Sequence, residues 1–334
     1  MELYELMVES DALIGPNARV RSEARLEYVC CNLCGADDPH LLFQGWDRLH
    51  GKPGRFRMVQ CQECGLIYLN PRPVISEIDR YYPADYPPHL APVQAAKGRI
   101  SRWDVRYGLN KRLRALTALQ PRGRLLDVGC ATGAFIAFAR EQGWDVHGVE
   151  LADTAASFCR NVLHLPVVTG DLLQTDYPAE SFDVITLWTV LEHLHDPLAT
   201  LHEIRRILHP SGLLALALPN VESLDAQFFG PAWAGYDVPR HLYIMPNVTL
   251  ERMLAQAGFS VVRRRCLYGS HFLFFFSLQY CLLEKPSWQW ARAWVRRLEN
   301  SPLVRLLMAP YFRIVDALGK GPIVTVFAQK NVKA

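Results

Sequence analysis

From Gly123 onward, short apolar runs alternate with segments in which apolar residues recur at helical spacing. The runs are GRLLDVGC, WDVHGVE, PVVTG, FDVITLWT and GLLALALP, and the segments between them include GAFIAFAREQG, DTAASFCRNVL and PLATLHEIRRIL. Strands that alternate with helices form a parallel sheet with helices on both faces. We therefore predict a doubly wound α/β domain that binds its ligand at the carboxyl ends of the strands.

Two CxxCG motifs, CNLCG and CQECG, occupy the first hundred residues. The glycine after each pair permits a tight turn that points backbone amides at the sulfurs. Four thiolates form a closed tetrahedral zinc site, so this zinc would be structural; the alternative is a pair of reduced dithiols. Cys30 falls outside the spacing, and the predicted ligands are Cys31, Cys34, Cys61 and Cys64.

The overall composition sets wider limits. A chain of 334 residues is long enough for a small and a large domain. We predict a zinc ribbon at 25–75, a linker and pocket-lining helix at 76–120, and the α/β domain at 121–334. Lys and Arg total 36 against 33 Asp and Glu, which is too little bias to require nucleic acid. The acidic N-terminus lacks a signal-peptide pattern, so we expect a cytoplasmic protein.

Polar residues follow three of the predicted strands. Asp127, Gly129 and Gly133 form a DxGxxxG turn after the first strand, and Glu150 and Asp171 end the next two. A dinucleotide-binding turn would need glycine at 131 and 134, where this chain has alanine. An acid about 20 residues after the glycine turn is placed to accept hydrogen bonds from both ribose hydroxyls.

In their order, these features resemble the class I S-adenosylmethionine (SAM)-dependent methyltransferases over about residues 120–330, although the family usually has glycine where this chain has Ala131. The resemblance implies a seven-stranded Rossmann-like sheet whose glycine turn cradles the methionine part of SAM. Glu150 would hold the ribose, and Asp171 with Leu172 would meet the adenine. The alternative is the same sheet with another nucleotide or no ligand. The predicted cofactor-binding residues are Asp127, Gly129, Cys130, Thr132, Gly133, Glu150, Leu151, Asp171, Leu172 and Trp188.

Residues 218–259 resemble a narrower branch, the zinc-ribbon methyltransferases of bacterial polysaccharide and deoxysugar pathways. In its sugar C-methyltransferases, a histidine in a similar loop is the general base, and His241 matches it. Those relatives have an acid where this chain has Arg240. The segment DYPPH resembles their stretch that closes over substrate, which makes Tyr86 a candidate catalytic residue.

The loop AGYDVPRHLYIM supplies the other groups that methyl transfer needs. The protein must align a nucleophile with the donated methyl and remove its proton, which suits a histidine at neutral pH. We predict that Arg240 binds a phosphate or carboxylate of the substrate and that Tyr236 and Asp237 orient sugar hydroxyls. The alternative is an Arg240–Asp237 pair that only holds the loop, with His241 as an ordinary buried donor.

The segment LWTVLEHLHDP carries four polar groups after the fourth strand. Asp196 precedes Pro197 and is predicted to cap a helix. Glu192 is a candidate catalytic residue and His193 a candidate substrate-binding residue. The two could instead bind a divalent ion, but two ligands are too few to define a site.

Residues 270–320 form an insertion before the last strand that the sheet does not need. Trp290, Trp294 and Leu298 make one apolar stripe, and arginines lie off it, a pattern typical of helices that lie on membranes. No apolar run reaches the ~20 residues needed to span a bilayer. The alternatives are a cap on the active site or a dimer interface.

The sequence thus predicts an enzyme that methylates a sugar hydroxyl or carbon, on a nucleotide sugar or a surface-glycan intermediate. Its cofactors would be SAM and a structural zinc. If the substrate were a lipid-linked sugar, the enzyme would work at the inner membrane face as a peripheral protein. The competing hypotheses are an RNA methyltransferase and a non-catalytic module that retains the sheet.

Overall fold

The computed structural model describes residues 24–82, 99–283 and 286–331. Its largest sheet has seven strands: β6 (Arg124–Val128), β7 (Asp145–Glu150), β8 (Val167–Thr169), β9 (Phe182–Trp188), β10 (Leu208–Pro219), β12 (Phe259–Arg265) and β13 (Ile323–Lys330). Their order is β12-β13-β10-β9-β6-β7-β8. Strands β6 to β10 run parallel, whereas β13 runs antiparallel to both of its neighbours. The predicted doubly wound, seven-stranded Rossmann-like sheet is confirmed.

Helices cover both faces of this sheet because alternate residues of its strands enter two separate apolar cores. Leu126, Ile185 and Leu214 belong to one core, and their chain neighbours Leu125 and Val184 belong to the other. The helices along this part of the chain are α1 (Arg99–Thr117), α2 (Ala134–Glu141), α3 (Asp153–Asn161), α4 (Pro197–Ile207), α5 (Leu224–Phe229) and α6 (Asn247–Gln256).

A second, antiparallel sheet lies beside the first. It contains β2 (Pro39–Gly45), β3 (Phe56–Cys61), β4 (Ile67–Leu69) and β11 (Tyr243–Ile244), in the order β11-β4-β3-β2. A two-stranded sheet joins β1 (Leu26–Glu27) to β5 (Arg72–Pro73). The fourth strand of the small sheet therefore comes from the loop that holds His241.

Among the described residues, the small sheet shares its apolar core with the large sheet. Met58 and Leu69 of the small sheet belong to the same buried cluster as Leu126 and Leu216 of the large one. A ribbon of this size buries too little apolar surface alone, so it packs its inner face against the larger domain. The boundaries predicted at 75 and 120 remain a prediction, but the two sheets share one hydrophobic core.

Three helices form the predicted insertion between β12 and β13. They are α7 (Ser270–Leu283), α8 (Gln289–Glu299) and α9 (Pro302–Ala317). Phe276 and Tyr280 of α7 pack on Ala232 and Ala234, at the start of the loop that holds His241. Within the described ranges, no helix combines the length and apolar character needed to cross a bilayer.

Candidate active site

The glycine turn after β6 is held in a left-handed backbone conformation. Gly129, Ala131 and Gly133 have φ of 69°, 47° and 74°. A Cβ on Gly129 would lie 2.6 Å from Cγ2 of Val190, so a larger residue there would collide with the segment after β9. Ala131 takes up a strained φ that glycine would adopt freely. Helix α2 begins directly after the turn, so its first N–H groups lie at this edge of the sheet.

Glu150 joins the end of β7 to the glycine turn. Its Oε2 accepts a hydrogen bond of 2.7 Å from the Ala131 N–H, and its Oε1 accepts one of 2.9 Å from the Ala152 N–H. Each carboxylate oxygen keeps a further lone pair, so the predicted ribose contact is compatible with this arrangement. Asp171 lies two residues after the end of β8, and its side chain caps the following turn by accepting from the Leu173 N–H at 2.9 Å.

The remaining predicted cofactor residues differ in their exposure. Leu172 is buried beneath the edge, whereas Leu151 is largely exposed beside Glu150. The Cys130 side chain lies against Gly148 of β7, because a Cβ on that glycine would come within 2.7 Å of its sulfur. Cys130 and the buried Thr132 can therefore meet a ligand chiefly through the backbone of the turn.

Asp127 and Arg112 are two ionisable groups withdrawn from solvent near the glycine turn, and sequence reasoning found only Asp127. Asp127 accepts a hydrogen bond of 2.5 Å from Thr186 Oγ1, and burial raises the pKa of its carboxyl to about 7. Arg112, on α1, lies 5.2 Å from the ring centroid of Trp188 and 5.0 Å from that of Tyr268.

The Arg112 Nε–H has no hydrogen-bond partner among the described residues, so the site offers a buried donor. The signal for it was present in the sequence, because an arginine at 112 shares one helix face with the buried Leu109, Leu113 and Leu116. Burial lowers the pKa of Arg112, and the Asp127 carboxyl opposes that shift.

Two histidines meet where the turn after β9 contacts the 234–245 loop. The ring centroids of His193 and His241 are 4.6 Å apart. His241 Nδ1 lies 2.8 Å from the Gly235 carbonyl oxygen, and His193 Nδ1 lies 3.1 Å from that of Arg240. Since a carbonyl oxygen only accepts, Nδ1 of His241 carries the proton and its Nε2 keeps its lone pair.

Glu192 completes this cluster. Its carboxylate has no hydrogen-bond partner in the part of the chain that the structure describes, and its side chain is inaccessible to solvent. The candidate ligand atoms of Glu192, His193 and His241 all lie within 4.8 Å of one another. Burial raises the pKa of Glu192 to about 8, lowers that of His193 to about 3 and lowers that of His241. At neutral pH the cluster holds a neutral acid and two neutral imidazoles.

The predicted substrate contact of Arg240 remains a prediction, and the structure shows how its guanidinium is held. Its guanidinium is fully buried and donates to both carboxylate oxygens of Asp237 at 2.8 and 2.6 Å, to Asp47 at 2.8 Å and to the Tyr81 carbonyl at 3.1 Å. These bonds leave one of its five N–H groups for anything else. The geometry favours the alternative, a structural ion pair that fixes the loop.

Both carboxylate oxygens of Asp237 accept hydrogen bonds from Arg240, and its predicted contact with sugar hydroxyls remains a prediction. Burial would raise the pKa of Asp237, but the adjacent guanidinium outweighs it and lowers the pKa to about 2. Tyr236 is half-buried and packs edge-on against Phe43 and Trp233. Its predicted substrate contact remains a prediction.

A tyrosine does reach the histidine pair. The Tyr82 hydroxyl lies 2.8 Å from His193 Nδ1, a contact that sequence reasoning did not identify. Tyr86, the tyrosine that was predicted, lies outside the described residues. Asp196 caps α4 through the Ala199 N–H at 3.0 Å, which confirms the predicted role.

The four cysteines of the CxxCG motifs converge at the other end of the small sheet. Sγ of Cys31 lies 3.4 Å from that of Cys64, and Sγ of Cys34 lies 3.5 Å from that of Cys61. Sulfurs that surround one zinc ion at about 2.3 Å are separated by about 3.8 Å.

Both cysteine turns have the same backbone hydrogen bonds: Gly35 N–H to Cys31 O, and Gly65 N–H to Cys61 O. Gly35 and Gly65 also share a positive φ, of 76° and 78°. Two turns of the same geometry thus present four thiolates to one point, and this donor set fits zinc.

Comparisons with known proteins find sequence similarity to methyltransferases. Residues 102–264 match the family model described as a methyltransferase domain. A malonyl-[acyl-carrier protein] O-methyltransferase of Serratia marcescens is 30% identical over 136 residues, which cover 40% of this chain and 52% of that protein. A ubiquinone biosynthesis O-methyltransferase of Cereibacter sphaeroides is 30% identical over 154 residues, 42% of this chain and 62% of that protein.

Among solved structures, a SAM-dependent methyltransferase from Archaeoglobus fulgidus is similar with a TM-score of 0.46 and 18% identity, over 68% of this chain and 94% of that one. The chain spans about half the length of the curated relatives it matches. The family model that matches residues 102–264 describes a methyltransferase domain, and these curated relatives are methyltransferases, which is the class of enzyme that the sequence predicts. The names of these relatives specify malonyl-[acyl-carrier protein] and ubiquinone biosynthesis, and none names a sugar.

Proposed function

We propose that the protein transfers a methyl group from SAM to a hydroxyl or carbon of a sugar, with His241 as the general base. The observation that carries this proposal is the free Nε2 of a neutral, buried His241 that is fixed by its bond to the Gly235 carbonyl. The class of reaction rests on the matched domain. The sugar rests on the resemblance of the 218–259 segment to sugar methyltransferases.

The cofactor would lie along the carboxyl ends of β6, β7 and β8. Glu150 would accept the ribose hydroxyls through its remaining lone pairs, and the turn around Gly129 would follow the methionine part. Arg112 offers an N–H donor and Asp127 a carboxyl group near this edge, which would suit the carboxylate and ammonium groups of a bound amino acid. When bound, SAM supplies an activated methyl group.

The residues of the cluster would handle the proton. His241 Nε2 removes the proton from the acceptor as the new bond to the methyl group forms. Because burial lowers the pKa of His241, the imidazole is neutral and competent as a base across the neutral range. The His193 ring would hold the His241 ring in place by packing edge-on against it, and Tyr82, which bonds His193, would help to position the acceptor.

The cysteine cluster would bind one structural zinc ion. Four protein ligands leave no open position for water, so the ion would contribute to folding and not to the chemistry. Its effect would reach the active site, since β4 follows the second cysteine turn and pairs with β11 beside His241.

A second role for Glu192, His193 and His241 is a divalent metal site that would orient an acceptor with two adjacent oxygens. The close spacing of one carboxylate and two imidazoles favours it. Turnover measured with and without added Mg²⁺ or Mn²⁺, on protein whose cysteine site keeps its zinc, separates the two roles, because a simple base needs no added ion.

The proposal is tested by incubating the full chain with methyl-labelled SAM and three acceptor pools: nucleotide sugars, a lipid extract that contains glycan precursors, and total RNA. We expect label in a sugar product. We also expect His241→Ala to lower turnover by roughly 10²–10⁴-fold while its cofactor affinity stays the same.

Label in RNA would refute the sugar hypothesis and support an RNA methyltransferase. SAM binding without transfer to any pool would favour a non-catalytic module. Unchanged turnover in His241→Ala would refute the base assignment. His209→Ala, a change to an exposed histidine far from the cluster in sequence, is the matched control and should retain full activity.

A further inference from the structure

The helices α8 and α9 expose large apolar side chains that no part of the described structure covers. Trp290 and Trp294 are 65% and 57% exposed, and Leu307 and Leu318 are each 69% exposed. Isolated exposed apolar residues are ordinary, but a cluster of them on two consecutive helices marks an interaction surface.

These side chains form stripes along both helices. On α9, Leu303, Leu307, Ile314 and Leu318 recur at helical spacing, so they lie on one side of the helix. Phe312 and Val315 lie on a different side and are buried against the protein. Helix α9 is thus anchored by one apolar face and presents a second one outward.

The charge of this surface is positive. Arg297, Arg305 and Arg313 are exposed beside the apolar stripes. The two acids of α8 and α9 are turned inward, because Glu299 accepts a hydrogen bond from Gln279 at 2.9 Å and Asp316 accepts one from Ser270 at 2.5 Å. Exposed tryptophan and leucine bordered by arginine suit the boundary between lipid headgroups and acyl chains.

We propose that the outward face of α8 and α9 binds the surface of a bilayer that contains anionic lipids. Helices of 11 and 16 residues are shorter than the ~20 residues that span a membrane, so they would lie in its plane. A second copy of the chain is a poorer occupant: a two-fold contact would place the arginines of one copy against those of the other, with both acids of the surface turned inward.

The surface is connected to the candidate active site through α7. Ser277 on α7 accepts a 2.9 Å hydrogen bond from the Ala234 N–H, at the start of the loop that holds His241. Helix α8 in turn packs on α7, where Glu299 meets Gln279. Binding would therefore hold the loop at a fixed position relative to the bilayer. This inference does not depend on the identity of the methyl acceptor.

The test is sedimentation of the full chain with vesicles of phosphatidylcholine alone and of phosphatidylcholine mixed with phosphatidylglycerol. We expect binding to the mixed vesicles that weakens as salt is raised. The double variant Leu307→Asn/Ile314→Asn should bind at least about tenfold more weakly, since each side chain loses the benefit of apolar burial. Arg305→Gln/Arg313→Gln should lose the preference for anionic vesicles.

The control variant is Ile75→Asn, because Ile75 is 65% exposed but lies in the zinc-ribbon segment. It should bind vesicles like the wild type. All variants should retain thermal unfolding profiles close to the wild type, which excludes misfolding as a cause. Failure to bind mixed vesicles would overturn the proposal, and so would a concentration-dependent dimer that Leu307→Asn/Ile314→Asn dissociates.

Discussion

Arg240 and Asp47 form an ion pair of 2.8 Å in which both side chains are fully buried. Asp47 follows β2 of the small sheet, and Arg240 directly precedes His241. Asp47 also accepts from the backbone N–H groups of Leu49 and His50, so the carboxylate is fixed from its own side. The pair fastens the cysteine-bearing sheet to the loop of the candidate base.

Asp47→Asn is expected to destabilise the protein by about 1–3 kcal/mol, because it removes one of the two carboxylates that neutralise the buried Arg240. The free energy of unfolding, measured in urea, checks this. The matched control is Glu251→Gln, which breaks an exposed pair with Arg264 and should cost at most about 1 kcal/mol. Equal costs for the two variants would show that the buried pair does not hold the sheets together.

The sequence was sufficient for features whose signal is local. The glycine turn at 129, the acid at 150 and the cap at 196 each depend on a few neighbouring residues, and the alternation of strands and helices repeats along the chain. The Arg240–Asp47 pair joins residues 193 positions apart, so no local pattern indicated it.

Contacts between distant segments also explain why the sequence did not predict the β4–β11 pairing or the surroundings of Arg112. Pairing of β11 with β4 brings together residues from distant segments, and only the folded chain shows that two short strands share an edge. Arg112 shares a helix face with buried leucines, but only the folded chain shows that the rings of Trp188 and Tyr268, from β9 and beyond, enclose it. Tertiary contacts decide both.

Zinc removal is expected to disturb the active site as well as the ribbon. Purified protein should contain one zinc per chain, and Cys61→Ser should lower that content. Because β4 pairs with β11, chelation should reduce methyl transfer before it reduces SAM affinity. Elemental analysis, calorimetry with SAM and turnover after chelation provide the measurements. The Cys30→Ser variant is the control, since Cys30 is an exposed neighbour outside the cluster.

Two glycines should respond to alanine in opposite ways. Gly129→Ala adds a Cβ only 2.6 Å from Val190 at a φ of 69°, so it should weaken SAM binding and lower stability. Gly108→Ala lies within α1 with no atom within 4 Å of the new Cβ, so it should raise stability by about 0.5–1 kcal/mol. Calorimetric titration and urea unfolding distinguish the two. Equal SAM affinity in both variants would contradict the proposed role of the turn.

Glu192 should make stability depend on pH. Its pKa is about 8 in the folded protein against an ordinary value of 4.5, so the folded state retains a proton that the unfolded chain releases. The contribution of Glu192 to the free energy of unfolding is therefore fully present below about pH 4.5 and is lost as the pH rises through 8. Glu192→Gln keeps a neutral side chain at every pH, so its stability should exceed that of the wild type increasingly from pH 5 to pH 8.

Urea unfolding at pH 5, 7 and 9, with a chelator present throughout, measures this difference, which should grow by an amount on the order of 3–5 kcal/mol. The control Glu141→Gln removes a carboxylate from an exposed pair with Arg106 and should track the wild type at each pH. The chelator matters because a bound cation would hold Glu192 ionised and flatten the profile. A flat difference in the presence of chelator would mean that Glu192 is ionised in the apo protein, against the neutral acid inferred from its burial.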